Sequence, residues 1–299
     1  MEPIEVLGAV AHPGGMLVRR PELTVGVVRA VSRPSGLTLE LLARSPRESN
    51  ARTPRAELSD TLRAGWLKPD GGVRWEYATS GEYYTSHTGT VVDRLVYVLP
   101  PLFGEVSLVL AWPEIGFPET VVPLSTPSRD EVEATAVSVW ESPRVGVPVE
   151  EEFERHRLDP ETVDVALEHG VAVAAPRVVH GSDDAVVVLT RVVDHGSLLS
   201  LELLSIARGV VAFDASAHAH EPSGPDYIPS SGGAVVAVVR GRAAYELRLG
   251  SGGSGGGLGS FTATAEYTVD RPVGGVLDLL VSWLPAGLAE ARVRVDLAG

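Results

Sequence analysis

Apolar and polar positions alternate in short runs along most of the chain. In ARVRVDL near the C-terminus, Ala291, Val293, Val295 and Leu297 fall on one face of an extended backbone and Arg292, Arg294 and Asp296 on the other. A period of two is that of a half-buried strand. LTLELL, RLVYVLP, SLVLAW, AVVVLTRVV, AVVAVVRG, YELRL, FTATAEYTV and LDLLVSW read the same way, each bounded by Gly, Pro, Asp or Ser. Many short strands separated by turn residues predict an all-β fold of antiparallel β-sandwich type, Ig-like or a small barrel.

Helix signals fall in one region only. SRDEVEATAVSVW opens on a capping box, Ser128 with Glu131, and DPETVDVALEHG has Asp159 as N-cap, Pro160 at the first helical position and Gly170 beyond the end. Between them, EEEFERHR is a charge run that reads as a solvated face.

The chain also repeats itself. PLFGEVSLVLAWPEIGFPE (residues 101–119) and PVGGVLDLLVSWLPAGLAE (272–290) share six of nineteen positions, among them Trp112/Trp283, Gly116/Gly287 and Glu119/Glu290. Roughly one identity is expected from average residue usage. Upstream, VGVVRAVSRPSGLTLELL (25–42) and VVLTRVVDHGSLLSLELL (187–204) share nine of eighteen. Two blocks in the same order imply a duplication, and offsets of 162 and 171 place nine extra residues between the blocks of the second copy. The predicted organisation is a first sandwich over residues 1–126, a helical and charged connector over 127–170 and a second sandwich over 171–299, all-β in both copies. Trp112 and Trp283, each closing a strand before a Gly turn, are predicted core residues.

Composition narrows the function more than it defines it. At 299 residues and 44% hydrophobic the chain can fill two cores. With no cysteine, disulfides, thiolate metal sites and cysteine nucleophiles are excluded. A net charge of -14 repels phosphate backbones, so neither nucleic acid nor an anionic membrane is an expected partner. The start MEPIEVLGAV is acidic and no long apolar stretch occurs, so a cytoplasmic protein is expected.

The stretch VYVLPPLFGEVSLVLAWPEIGFPETVVPL (96–124), with its Trp112, Pro113, Gly116, Pro118, Glu119 and Thr120, resembles a family of uncharacterised actinobacterial β-rich proteins that carry a Trp-Pro-x-x-Gly-x-Pro-Glu-Thr segment. That family often has a polyglycine run before its last strands, as SGGSGGG (251–257) is here. The resemblance covers residues 23–140, and the second copy loosely, where Pro118 and Thr120 become Ala289 and Ala291. It implies no activity, and no cofactor is expected.

Several patterns carry candidate chemistry. Gly250, Gly252 and Gly255 match G-x-G-x-x-G, and Gly252, Ser254 and Gly256 match G-x-S-x-G. Both motifs must open a helix, and a strand follows here, so a hairpin loop is the expectation. In FDASAHAHEPSGPDY, His218 and His220 would share a face of an extended strand and reach one metal, with Asp214, Glu221 or Asp226 supplying oxygen; with no clear third ligand, a polar surface insertion is the favoured reading. Asp194-His195 has the composition of an acid–base pair but sits at a turn. In GVRWEYATSGEYYTSHTG, Trp75 and Tyr77 would face the same way, with Tyr83, Tyr84 and His87 close behind, either as a binding surface or as an aromatic cap on the sandwich. Three functions fit: a non-catalytic binding or scaffold protein with a protein partner, an enzyme using His218 and His220 or a barrel cavity, and a structural subunit of an assembly. The first is expected, since no acid–base cluster recurs in both copies.

Overall fold

In the computed structural model, which describes residues 5–45, 61–85, 90–158, 169–219, 232–257 and 259–297, the alternating runs become strands, YELRL alone being divided between two. The chain forms two compact units, one built on residues 8–136 and the other on 137–158 and 172–297 with the short segment 5–7.

The first unit contains β1 (Ala9–His12), β2 (Gly15–Arg19), β3 (Thr24–Arg33), β4 (Gly36–Ser45), β5 (Arg63–Leu67), β6 (Val73–Glu76), β7 (Ser80–Thr85), β8 (Val91–Leu99), β9 (Gly104–Trp112) and β10 (Phe117–Thr126), closed by helix α1 (Arg129–Thr135). One sheet runs β1-β3-β4-β8-β7 with β2 also on β3, and the other runs β10-β9-β5-β6. Leu39, Leu41 and Tyr97 from the first sheet meet Ala64, Leu108, Leu110, Trp112 and Leu124 from the second in one buried core. The architecture is a β-sandwich. α1 begins as predicted: the Ser128 hydroxyl accepts from the Glu131 N–H at 3.3 Å and the Glu131 carboxylate from the Ser128 N–H at 2.8 Å.

The second unit contains β11 (Val147–Pro148), β12 (Glu154–Arg157), β13 (Val171–Ala174), β14 (Arg177–Gly181), β15 (Ala185–Asp194), β16 (Leu198–Arg208), helix α2 (Gly209–Ala219), β17 (Val235–Arg240), β18 (Ala243–Glu246), β19 (Leu249–Gly257), β20 (Ser260–Asp270), β21 (Val276–Trp283) and β22 (Leu288–Asp296). Its sheets run β13-β15-β16-β20-β19, with β14 also on β15, and β11-β22-β21-β17-β18-β12. Strand for strand this order is that of the first unit, with β13–β16, β19 and β20 in the places of β1–β4, β7 and β8, and β17, β18, β21 and β22 in those of β5, β6, β9 and β10. The difference lies at the edges, where β11 and β12 add a strand to each side of the second sheet, β12 in parallel.

The repeated stretch is a strand, a turn and the start of the next strand. β9 and β21 end at Trp112 and Trp283, both fully buried, and short 3-10 turns follow at Pro113–Ile115 and Leu284–Ala286. Each turn is closed by a glycine with positive φ, 79° at Gly116 and 72° at Gly287, a conformation a Cβ would strain.

Three expectations need correction or fall outside the described residues. The glycine run is not a loop: it belongs to β19 and pairs along β20, from Gly252↔Ala265 to Gly257↔Ser260. Helix is not confined to the region between the units, because the segment holding His218 is α2. Between β4 and β5 there are 17 residues and between β16 and β17 there are 26, so the nine extra residues lie where α2 sits. Its exposed positions carry Val210 and Phe213 beside Asp214 and His218, so apolar and polar residues do not sort to opposite sides and the 3.6-residue periodicity that betrays a helix is missing. Of DPETVDVALEHG, residues 159–168 lie outside the described residues. Among the described residues no helix is long and apolar enough to cross a membrane.

Candidate binding surface

In β5, Ala64 and Trp66 point into the core, which leaves Arg63, Gly65 and Leu67 on the outward face. The strand registers define a row across that face: Val121 opposite Val109, Val109 opposite Gly65, and Gly65 opposite Trp75. Arg63 stands one step along, opposite Ala111. Gly65 makes room for the indole, since a Cβ there would meet Trp75 Cε3 at 3.0 Å and the Arg74 carbonyl at 2.5 Å.

The turn Pro113–Ile115 and the beginning of β10 close this face into a cleft of about 250 Å³ lined by Arg63, Trp75, Ala111, Pro113, Gly116, Phe117, Pro118 and Glu119. Arg63 Nη2 pairs with Glu114 at 2.5 Å, while its buried Nε has no hydrogen-bond partner among the described residues. Val121 beside the cleft is 57% exposed. Whole small molecules usually occupy pockets of roughly 300–1,000 Å³. A half-open cleft of this size, with an aromatic ring, a guanidinium and a carboxylate at its rim, suits side chains of an extended polypeptide.

Of the aromatic residues singled out in the sequence, Trp75 lines the cleft. Tyr77 lies past the end of β6 and is 65% exposed, so strand alternation no longer ties it to Trp75. Tyr83 and Tyr84 lie on β7 of the other sheet, opposite Asp93 and Val92. His87 is outside the described residues. Arg63 and Gly65 carry no local signal, and only the register that sets them beside Trp75 marks them.

The extended strand assumed for the histidine pair is replaced by α2, in which residues two apart point roughly 200° apart around the axis. His218 Nδ1 lies 2.9 Å from the Asp214 backbone carbonyl, and His220, Glu221 and Asp226 are outside the described residues. Among the described residues no three histidine or carboxylate side chains converge as a metal site would need. Asp194 and His195 each have other partners: Asp194 accepts from the Gly196 N–H at 2.7 Å and pairs with Arg271, and the His195 ring reaches Ser200 Oγ at 3.0 Å. Both glycine motifs lie within β19, with no helix to receive an anion or carry a nucleophile.

No family model matches the chain, and no curated protein matches it. Among solved structures the chain is similar to bovine butyrophilin, with 12% identity over 96% of this chain and 100% of that one and a TM-score of 0.22. It is also similar to a conserved domain protein from Bacillus anthracis, with 9% identity over 94% of this chain and 79% of that one and a TM-score of 0.21. Likeness at this level leaves the function to be read from the chain itself.

Proposed function

We propose that the protein is a non-catalytic binding scaffold, built from two copies of one sandwich plan, that engages a protein partner through the outward face of the β10-β9-β5-β6 sheet. The observation that carries this reading is the half-open cleft in which Trp75, Arg63, Phe117 and Glu119 come together, with the exposed Val121 beside it on β10. Buried aromatic and arginine anchors ringed by polar groups dominate the energetics of protein contacts.

The reading is tested by affinity purification of the tagged full-length protein from its own cells, comparing wild type with Trp75→Ala. A stoichiometric protein partner retained by the wild type and lost from an equally stable Trp75→Ala supports it. A partner held equally by both moves the binding surface elsewhere, and recovery with a small molecule or metal alone favours an enzyme.

A further inference from the structure

β19 is an edge strand almost without side chains. Its residues read LGSGGSGGG, and it pairs on one side only, along β20, as the last strand of the order β13-β15-β16-β20-β19. Pairing is regular from Ser251↔Glu266 to Gly257↔Ser260, and Gly252 to Gly257 are all exposed. Among the described residues no strand pairs with the outer edge of β19 and no backbone group bonds to it, so its outward N–H and C=O groups face solvent.

Half of these glycines are not demanded by the unit itself. At Gly252 and Gly256 an added Cβ would run into the Thr264 and Ser260 carbonyls of β20. At Gly253, Gly255 and Gly257 it would meet nothing within 4 Å, and none of the three has a positive φ. Glycine inside a strand loses entropy and packs nothing, and it commonly marks the close approach of another backbone.

Other sheet edges are guarded. β1 and β13 stop after four residues, β7 carries Glu82, β10 carries Pro118 and Pro123, and β12 reads ERHR. Shortness, charge and proline are the ordinary means of keeping sheet edges apart. β19 has none of them over nine residues.

We infer that β19 is a self-association edge, on which a second copy of the chain adds its own β19 antiparallel about a two-fold axis. Two features select a copy over a foreign segment. Strand addition draws its sequence selectivity from side-chain pockets, and a glycine edge has none to offer. The strand is uncharged in a chain of net charge -14, so two copies meet there without opposed carboxylates. An antiparallel pair of identical strands is also self-complementary by symmetry. Full overlap of the regular stretch 251–257 puts the axis at Ser254, with Gly253 of one copy opposite Gly255 of the other. Main-chain bonds supply the contact with little apolar burial, so the dimer is a weak one. This contact shares no residue with the cleft of the first unit.

Sedimentation equilibrium of the full-length protein from about 10 μM to 1 mM is the measurement, and a monomer–dimer equilibrium with a midpoint below about 1 mM is expected. Gly253→Lys/Gly255→Lys sets like charges opposite each other on both sides of the axis and weakens the dimer about fivefold or more. Gly253→Lys/Gly255→Glu sets opposite charges there and dimerises about tenfold or more tightly than the double-lysine variant. The direction separates pairing from general charge effects, because added lysines lower the net negative charge and would strengthen nonspecific association. Both variants place side chains where a Cβ has room, and thermal unfolding serves as their folding control. The chain has no cysteine, so Ser254→Cys reports the axis without touching a glycine. Its disulfide-linked dimer forms about tenfold or more faster than that of Val273→Cys, a fully exposed position in the turn after β20. Absence of a dimer up to about 1 mM, tighter association of the double-lysine variant, a lysine–glutamate variant no tighter than the double-lysine one, or equal crosslinking of the two cysteine variants overturns the inference.

Discussion

Gly65 and Trp75 face each other across β5 and β6, and the indole occupies the space a side chain at residue 65 would need, with Trp75 Cε3 only 3.0 Å from a Cβ built there. The Arg74 carbonyl would be closer still, at 2.5 Å. Gly65→Ala is therefore expected to destabilise the first unit by about 1–3 kcal/mol, the usual cost of overpacking. In a Trp75→Ala background the same change should cost less without becoming neutral, because the backbone clash persists. Urea unfolding of the four proteins measures the coupling directly, and strict additivity would mean the indole does not lie over Gly65.

A buried ion cluster lies on β3, β4 and β8 in the first unit and on β15, β16 and β20 in the second, with a carboxylate binding two guanidiniums in one and a guanidinium binding two carboxylates in the other. Arg29 pairs with Glu40 at 3.2 Å, and Arg94 binds the same carboxylate. In the second unit Arg191 pairs with Glu202 at 3.7 Å and also with Glu266. Crowding of positive charge shows in Arg33, pushed down to about 10 by burial and by Arg29. Removing the central member takes from two buried side chains the opposite charge that both of them bind. Glu40→Gln and Arg191→Met should each cost about 3–5 kcal/mol in chemical denaturation. A loss below about 1 kcal/mol would mean that water reaches the cluster.

The pairs Arg29/Arg191 and Glu40/Glu202 were in view among the nine identities of the upstream repeat, yet an ion pair between neighbouring strands cannot be read without the register that sets them side by side. Strands with a period of two, the capping box at Ser128 and the tryptophans closing β9 and β21 were legible because each depends on near neighbours in sequence. α2 was hidden by the apolar residues Val210 and Phe213 on its exposed side and by an Ala-His-Ala-His spelling that mimics a strand. β19 was hidden because glycine has no side chain with which to alternate, and only pairing with β20 makes it a strand. Within the candidate surface Trp75 was legible as an unusual residue, whereas Arg63, Gly65 and Val121 join it only through cross-strand pairing.

The two sandwiches share a buried tyrosine that ties one sheet to the other. Tyr97 OH donates to the Leu62 carbonyl, and Tyr267 OH to the Ala234 carbonyl at 3.0 Å, just before the corresponding strands β5 and β17 of the facing sheets. Burial drives both phenols far above their ordinary range, with Asp93 and Glu246 adding to the effect, so neither ionises while folded. Tyr97→Phe and Tyr267→Phe each leave a buried carbonyl without its donor. A loss of about 1–3 kcal/mol is expected for each in thermal or denaturant unfolding. Equal stability of a variant and the wild type would mean that the carbonyl finds another donor.

His12, at the end of β1, gives the first unit a pH dependence of defined sign. Its Nδ1 accepts the Gly14 N–H at 3.1 Å, and burial lowers its pKa from the ordinary value. An accepting Nδ1 carries no proton, so protonation both charges a half-buried ring and breaks this hydrogen bond. Because the folded-state pKa lies below that of the unfolded chain, about 6.5, the unfolded state takes up the proton first as the solution is acidified. The stabilisation is therefore complete above about pH 6.5 and is lost progressively as pH falls through and below that value. His12→Asn keeps an acceptor at the Nδ1 position and removes the titration. Melting temperatures measured from pH 7.5 down to 5 should fall less steeply for His12→Asn than for wild type, and parallel profiles would assign the acid sensitivity of this unit to its carboxylates.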